Sequence, residues 1–300
     1  MSWFYLALLA TLLYSIVNLF DDNLLRFVYK SPYLAATSAG FYGVLPLLSL
    51  LFISTSNISL HLALLSLLAG YLTLIYYFFY FRGLGSDTPA VVVALLGLAP
   101  ATIPFLARLF VHEQLLPLEI VGFLVVFLAS LGLSITNVRR FQFSPVLAFA
   151  LLAVIFMDVS SIMTKYVYER AAFYPAYMYF SAGMGLGGLA FFGLGFQQDR
   201  KTLRTIRNKL KKLLPVFVAT ELLGVTAELT LNFAVSRGPV SLVKVIESAQ
   251  PMFVLLLSLG LYPLAPRYFR EARAGGLRRK FSLIAAIAAG MVLISFVAKV

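Results

Sequence analysis

Residues 164–186 read TKYVYERAAFYPAYMYFSAGMGL, and residues 25–43, LRFVYKSPYLAATSAGFYG, repeat them in outline. Arg26 falls opposite Lys165, Val28-Tyr29 opposite Val167-Tyr168, Pro32 opposite Pro175, and Ser38-Ala39-Gly40 opposite Ser181-Ala182-Gly183. Further on, Ala99-Pro100 falls opposite Gln250-Pro251. Self-similarity at this period divides the chain into two like halves, 1–140 and 141–300.

Both copies are set among long apolar runs, at 3–20, 33–53, 61–80, 88–110, 117–136, 145–166, 175–196, 213–235, 240–262 and 281–298. Runs of this length cross about 30 Å of hydrocarbon at about 1.5 Å per helical residue. None alternates polar and apolar residues as a barrel strand would. With 61% hydrophobic and 12% charged residues and a mean hydropathy of +0.93, the composition excludes an ordinary soluble domain, whose charged fraction is about a quarter. The expected fold is an all-α membrane protein of ten transmembrane helices. Five spans per half is an odd number, so the second half runs through the bilayer upside down relative to the first, the inverted repeat found in transporters.

The net charge of +12 is a matter of sidedness. Of 24 Lys and Arg residues, 18 fall in the connections after the first, third, fifth, seventh and ninth spans. This bias places 197–212 and 263–280 in the cytoplasm and both termini outside. The basic stretch QQDRKTLRTIRNKLKK at 197–212 reads as an orienting loop, and no nucleic-acid partner is expected. The first apolar segment has no Lys or Arg before Arg26, so it reads as a retained span and not as a secretory signal.

Chemistry that needs special residues is poorly provided for. There is no cysteine, and His61 and His112 are the only histidines, which leaves no metal site and no thiol nucleophile. His112-Glu113 lacks a second histidine, and neither a phosphate-binding GxxxxGK loop nor a GxSxG elbow occurs. ATP-driven pumping, hydrolysis and enzymatic activity are therefore not expected, nor is a cofactor.

An ionisable residue inside a span costs a few kcal/mol to insert, which marks it as a functional candidate. Asp158 lies in the sixth span, Glu221 and Glu228 in the eighth, and Lys244 and Glu247 in the ninth; Asn18 and Asp21 close the first. Glu221 and Glu228 are seven residues apart and share a helix face with Gly224, Val225 and Asn232. Ser241, Lys244, Glu247, Ser248 and Pro251 form a second stripe. The turn at Ser236-Arg237-Gly238-Pro239 sets Glu228, Lys244 and Glu247 at a common depth, where Lys244 can pair with either acid but cannot neutralise both. The site residues expected for substrate binding or coupling are Lys244, Glu247, Glu228, Asp158, Glu221, Gln250 and Asn18. For Asn18 and Asp21, one turn apart near the end of the first span, an interfacial place is favoured over ligand binding.

Pro100 and Pro251 are expected to kink their spans and expose carbonyl groups. Gly183 and Gly187 suit close helix packing. The run Tyr76-Tyr77-Phe78-Phe79-Tyr80-Phe81 reads as an aromatic belt at a span end, and so do Tyr177 and Tyr179, though these two could line a site.

Several short motifs, taken in order, resemble the drug/metabolite transporter superfamily, specifically the EamA-type ten-helix transporters. They are Ser15, Asn18, Asp21 and Leu24-Leu25 closing the first span; Glu113, Leu116-Pro117 and Gly122; Ser160-Ser161 and Lys165; and Gly238-Pro239-Val240-Ser241-Leu242-Val243 followed by Gln250-Pro251 and Phe253-Val254. The resemblance covers nearly the whole chain. It implies a secondary transporter, generally an exporter of small metabolites, with a cavity lined by helices 1, 3, 4, 6, 8 and 9 and with helices 5 and 10 at the periphery. It also implies termini inside, against the charge count.

The function expected is alternating-access secondary transport of a small polar metabolite or amino-acid-like solute by a monomer or homodimer in a bacterial inner membrane, possible coupling to protons included. Lipid-linked headgroup flipping is the alternative of the same fold. A membrane scaffold or intramembrane enzyme is the alternative of another class.

Overall fold

The structure, a computed structural model, describes residues 2–24, 31–52, 57–84, 99–135, 145–261 and 277–297. The described residues form α1 (Trp3–Leu24), α2 (Pro32–Gly43), a 3-10 turn (Leu45–Leu51), α3 (Leu60–Leu84), α4 (Ala99–Phe110), α5 (Pro117–Ile135), α6 (Pro145–Tyr168), α7 (Phe173–Arg237), α8 (Val240–Glu247), α9 (Gln250–Leu261) and α10 (Leu277–Val297). No strand occurs among them. The first six residues of the repeat copy at 25–43, the start of the fourth span and most of 263–280 lie outside the described residues.

Seven segments are long and apolar enough to cross a membrane: Trp3–Asp21, Pro32–Leu51, Leu60–Leu84, Ala148–Tyr168, Phe173–Gly195, Leu214–Arg237 and Val240–Gly260. Pro117–Gly132 and Lys280–Phe296 are shorter apolar helices. The protein is accordingly a helical, multi-pass integral membrane protein. Its outward faces carry Phe105, Leu109, Leu124, Leu128 and Ile155, apolar groups that need no water.

The seventh and eighth expected spans belong to one helical stretch, where the sequence suggests a connector at 197–212. The 65 residues of α7 would extend about 97 Å if straight. Yet the ring of Phe173, at its start, packs at a tilt 5.0 Å from that of Phe233 near its end, and both Gly188 and Glu221 touch α2, at Gly40 and Ser38. The helix therefore doubles back between Gly195 and Leu214, and its two limbs run antiparallel.

The ninth span is also divided. Helix α8 stops at Glu247, Ser248 and Ala249 form a turn, and α9 begins at Gln250. Pro251 sits in the first turn of α9, where a missing N–H leaves no helical acceptor unmet, so it marks a restart and not a kink. Pro100 stands at the edge of the described part of α4, so the kink expected there falls beside residues outside the description.

Small residues allow the closest approaches. A Cβ on Gly70 would lie 1.9 Å from the Phe180 carbonyl oxygen, and one on Gly183 the same distance from that of Leu67. Gly183 and Gly187 thus seat the first limb of α7 on α3. Helices α5 and α10 meet through Gly122 and Gly290.

Candidate functional site

Side chains from α1, α2, α3, α6, both limbs of α7, α8 and α9 surround a central cavity that is partly open to solvent. Six of the seven polar candidates are on its wall: Asn18, Glu221, Glu228, Lys244, Glu247 and Gln250. Asp158 is not, although Met157, Ser160 and Ser161 of the same helix are. It is 2% exposed, accepts a short hydrogen bond from Thr102 on α4, and its Oδ1 has no partner. No described residue of α4 lines the cavity, whereas α2 and the first limb of α7 do, a departure from the lining helices that the resemblance implies.

The lysine has made its choice of partner. Lys244 donates to Glu247 at 2.8 Å, one turn along α8, with both side chains largely buried. Glu228 is held instead by neutral donors. Tyr14 and Tyr77 donate to its Oε2 at 2.5 and 2.8 Å, and Asn232 donates to its Oε1 at 2.8 Å. Tyr168 in turn donates to Asn232 at 2.9 Å, which fixes the amide's orientation. Glu221 accepts from Ser38 at 2.6 Å.

A second polar group joins α1, α3 and α9. Asn18 donates to the Gln250 side-chain oxygen at 2.7 Å, and Tyr80 donates to Asn18 at 3.2 Å and to Asp21 at 3.4 Å. Asn18 and Asp21 are both cavity-lining.

The aromatic run of α3 requires a larger correction. Tyr76, Tyr77, Tyr80 and Phe81 line the cavity with Thr73, at spacings of three and four that put them on one helix face. Only the intervening Phe78 and Phe79 turn from the cavity, to stack on Phe191 and Phe156. Tyr177 is buried at the cavity wall, whereas Tyr179 faces outward and is 41% exposed. The helical spacing was the available signal.

The turn between α7 and α8 is gripped from two sides. Lys165 donates to the carbonyls of Val235 and Gly238, at 3.3 and 2.8 Å. Glu113 accepts from the amides of Val240 and Ser241, at 2.7 and 3.2 Å. A cation thus meets a helix C-terminus and an anion the next N-terminus, the favourable sense for both dipoles. His112, with φ of 55°, turns the chain after α4 so that Glu113 reaches α8. Burial pushes the Glu113 carboxyl above its ordinary pKa, against the opposing effect of these hydrogen bonds and of Lys165.

Among the described residues no group of His, Asp and Glu is placed to hold a metal ion. The arrangement provides a buried ion pair, a carboxylate held by tyrosines, and an aromatic wall around a partly open space; it suits binding a polar solute.

The profile of the EamA-like transporter family matches residues 144–264. No curated protein matches the chain. Solved chains numbering 27 match it; one, described only as the crystal structure of a protein, superposes with a TM-score of 0.67 over 99% of this chain and 96% of its own, at 18% identity, which bears on the fold alone.

Proposed function

We propose that the chain is a secondary transporter of the drug/metabolite transporter superfamily which exports a small polar metabolite by alternating access, a reading supported by the match of residues 144–264 to the EamA-like transporter family. The observation that carries this reading is the central cavity, whose wall takes ionisable or amide side chains from both 1–140 and 141–300. Such groups are costly in a bilayer and are retained where they meet a solute or each other.

In this reading the halves 1–140 and 141–300 are inverted repeats that rock about the cavity. The break between α8 and α9 supports it: the helix is discontinuous beside the cavity, between the wall residues Glu247 and Gln250. Glu228 and the Lys244–Glu247 pair orient the solute, and a carboxylate of this set exchanges a proton for it during the return step. The bacterial inner membrane is the assigned location, with 197–212 on the cytoplasmic side.

The test is transport by purified protein in proteoliposomes, loaded with candidate metabolites under an imposed proton gradient. Lys244→Ala and Glu247→Gln are expected to abolish solute movement while the protein keeps its elution profile and helical content. Undiminished transport by both well-folded variants removes this pair from the mechanism.

A further inference from the structure

We propose that α8 is a gate closing one end of the cavity and that Glu113 is the latch that holds it shut. This rests on the carrier reading above, which requires the closed end to open, and it names the part that moves.

The two ends of the cavity differ. Along the second limb of α7 its wall runs from Thr220 to Val235, a rise of about 22 Å. Toward the first end the wall residues Asn18, Asp21, Glu221, Gly224 and Gln250 are partly exposed. Toward the other, Thr164, Leu231, Asn232, Val235 and Lys244 are buried. Beyond them the end of α7 and the start of α8 are packed shut, with Ala234, Val240 and Leu242 wholly buried. The cavity therefore opens at the Glu221 end and stops at the turn between α7 and α8.

Helix α8 is built to move as a unit. It is eight residues long, with the Gly238-Pro239 turn at one end and the break at Ser248-Ala249 at the other. A short rigid element jointed at both ends absorbs a change of angle at those joints and not within itself. Lys244 and Glu247 ride on it, so a swing at the turn opens that end of the cavity and carries the ion pair with it.

Two side chains grip the turn, and they are not equivalent. Lys165 belongs to 141–300, the half that contains the turn, and follows Thr164 of the cavity wall; its bonds to the Val235 and Gly238 carbonyls travel with that half. Glu113 belongs to 1–140. It lies between α4 and α5, both of which pack on α8, and accepts from the Val240 and Ser241 amides at 2.7 and 3.2 Å. Rocking one half against the other must part Glu113 from α8 but leaves Lys165 in place. The apolar contacts nearby are non-directional and re-pack as α8 tilts, whereas paired hydrogen bonds to a carboxylate hold one geometry or are lost. Opening bares two amides at the start of α8, and water in the opened vestibule satisfies them.

The chain contains no cysteine, so single introduced cysteines report access without background. Val235→Cys reports on the closed end, and Gly224→Cys, where a Cβ meets nothing within 4 Å, on the open end. Each full-length protein is exposed to a membrane-impermeant maleimide in spheroplasts, which present one face of the membrane, and in inverted vesicles, which present the other. With Glu113 intact, Gly224→Cys is expected to label from one face and Val235→Cys only slowly from the opposite one. Glu113→Ala is expected to raise the Val235→Cys rate from that opposite face by at least about tenfold, as in an equilibrium that loses charge-assisted hydrogen bonds on one side, and to slow Gly224→Cys labelling from the open face. Glu113→Gln keeps one carbonyl acceptor and is expected to fall between; it carries the same test where Glu113→Ala does not fold. Lys165→Met is expected to lower the unfolding temperature without this exchange of faces. A merely structural Glu113 would instead let both reporters label faster as the fold loosens. Unchanged rates, faster labelling at both reporters, or an equal exchange of faces in Lys165→Met would each overturn the latch. An exchange of faces in a protein that moves no metabolite supports the latch and defeats the carrier reading. Transport by the native protein, with labelling indifferent to Glu113, does the reverse.

Discussion

Glu113 and Lys165, 52 residues apart in the sequence, hold adjoining helix ends of a single turn: the acid caps the amides that begin α8, and the lysine caps the carbonyls that end α7. Gly238 lies between them against the ring of Trp3, where a Cβ would come within 2.5 Å of the indole. Three elements distant in sequence thus converge on Arg237-Gly238-Pro239, which sets the height of Glu228 on one side and of Lys244 on the other. The turn fixes the register of the two polar stripes.

Removing either grip should therefore loosen both helices. Glu113→Ala is expected to cost about 1–2 kcal/mol, the usual value of a lost N-cap with a favourable dipole contribution. Lys165→Met is expected to cost a similar amount, since hydrogen bonds from a charged donor to carbonyls are lost while its partner Glu169 is part-exposed and can be resolvated. Because both act on one turn, the double variant should lose less than the sum of the singles. Thermal unfolding of the four proteins in one detergent closes this cycle; additive losses would show that the two grips are independent.

The pH response of the turn has a defined sign. Glu113 has its pKa raised by burial, so the folded state holds the proton more tightly than the unfolded chain does. Its contribution favours folding at pH below the ordinary carboxylate value, declines as pH rises through the raised one, and is flat above. Stability of the native protein relative to Glu113→Gln should accordingly fall with rising pH across that window. Unfolding midpoints of both proteins from mildly acidic to neutral pH give the difference directly, and a rising difference would mean that the backbone amides outweigh burial.

Lys244 and Glu247 should behave as a unit. Removing one partner of a buried pair strands the other charge, which generally costs about 3–5 kcal/mol, whereas replacing both with apolar groups of similar size is often close to neutral. Lys244→Met alone is therefore expected to be more destabilising than Lys244→Met with Glu247→Leu, although the double variant has lost more of the site. Denaturant titration in nanodiscs measures this order. A double variant less stable than either single would make the pair a net stabiliser, and the polar wall would then owe part of its retention to the fold.

How far the sequence disclosed this site depends on whether a residue's burden is local or shared. Lys244, Glu247, Glu228 and Glu221 were legible because an ionisable group within an apolar run is costly wherever its neighbours stand, and spacing alone placed them on two stripes. The partners were not legible. That Lys244 would take Glu247, leaving Glu228 to Tyr14 and Tyr77, depends on α1 and α3 reaching the same side of α7. Asp158 illustrates the limit in reverse: it carries the same insertion cost, yet it points toward Thr102 on α4 while Met157 and Ser161 face the cavity. The tyrosines of α3 misled because amphipathic rings near a span end suit the headgroup region as well as a wet cavity. The doubled-back α7 was concealed because charge alone suggests an irregular loop over 197–212, whereas helical backbone extends into that stretch from both limbs.

The glycines permit a contrast that separates fold from cavity. On α3, Gly70→Ala would drive a Cβ to 1.9 Å from the Phe180 carbonyl oxygen, and Gly183→Ala would do the same against Leu67. Backbone atoms cannot swing aside as a flexible side chain can, so the helices must separate, breaking the packing that sets Tyr76 and Tyr77 against α7. Overpacking of this kind costs about 1–3 kcal/mol or more. Gly224→Ala meets nothing within 4 Å and gains the helix preference of alanine, worth up to about 1 kcal/mol. The expected order of unfolding temperatures is Gly224→Ala at or above the native protein, with Gly70→Ala and Gly183→Ala well below. Gly224→Leu should keep the fold but fill the solute's room, so its unfolding temperature should hold while ligand binding is lost; if its binding is unchanged, the solute lies elsewhere in the cavity.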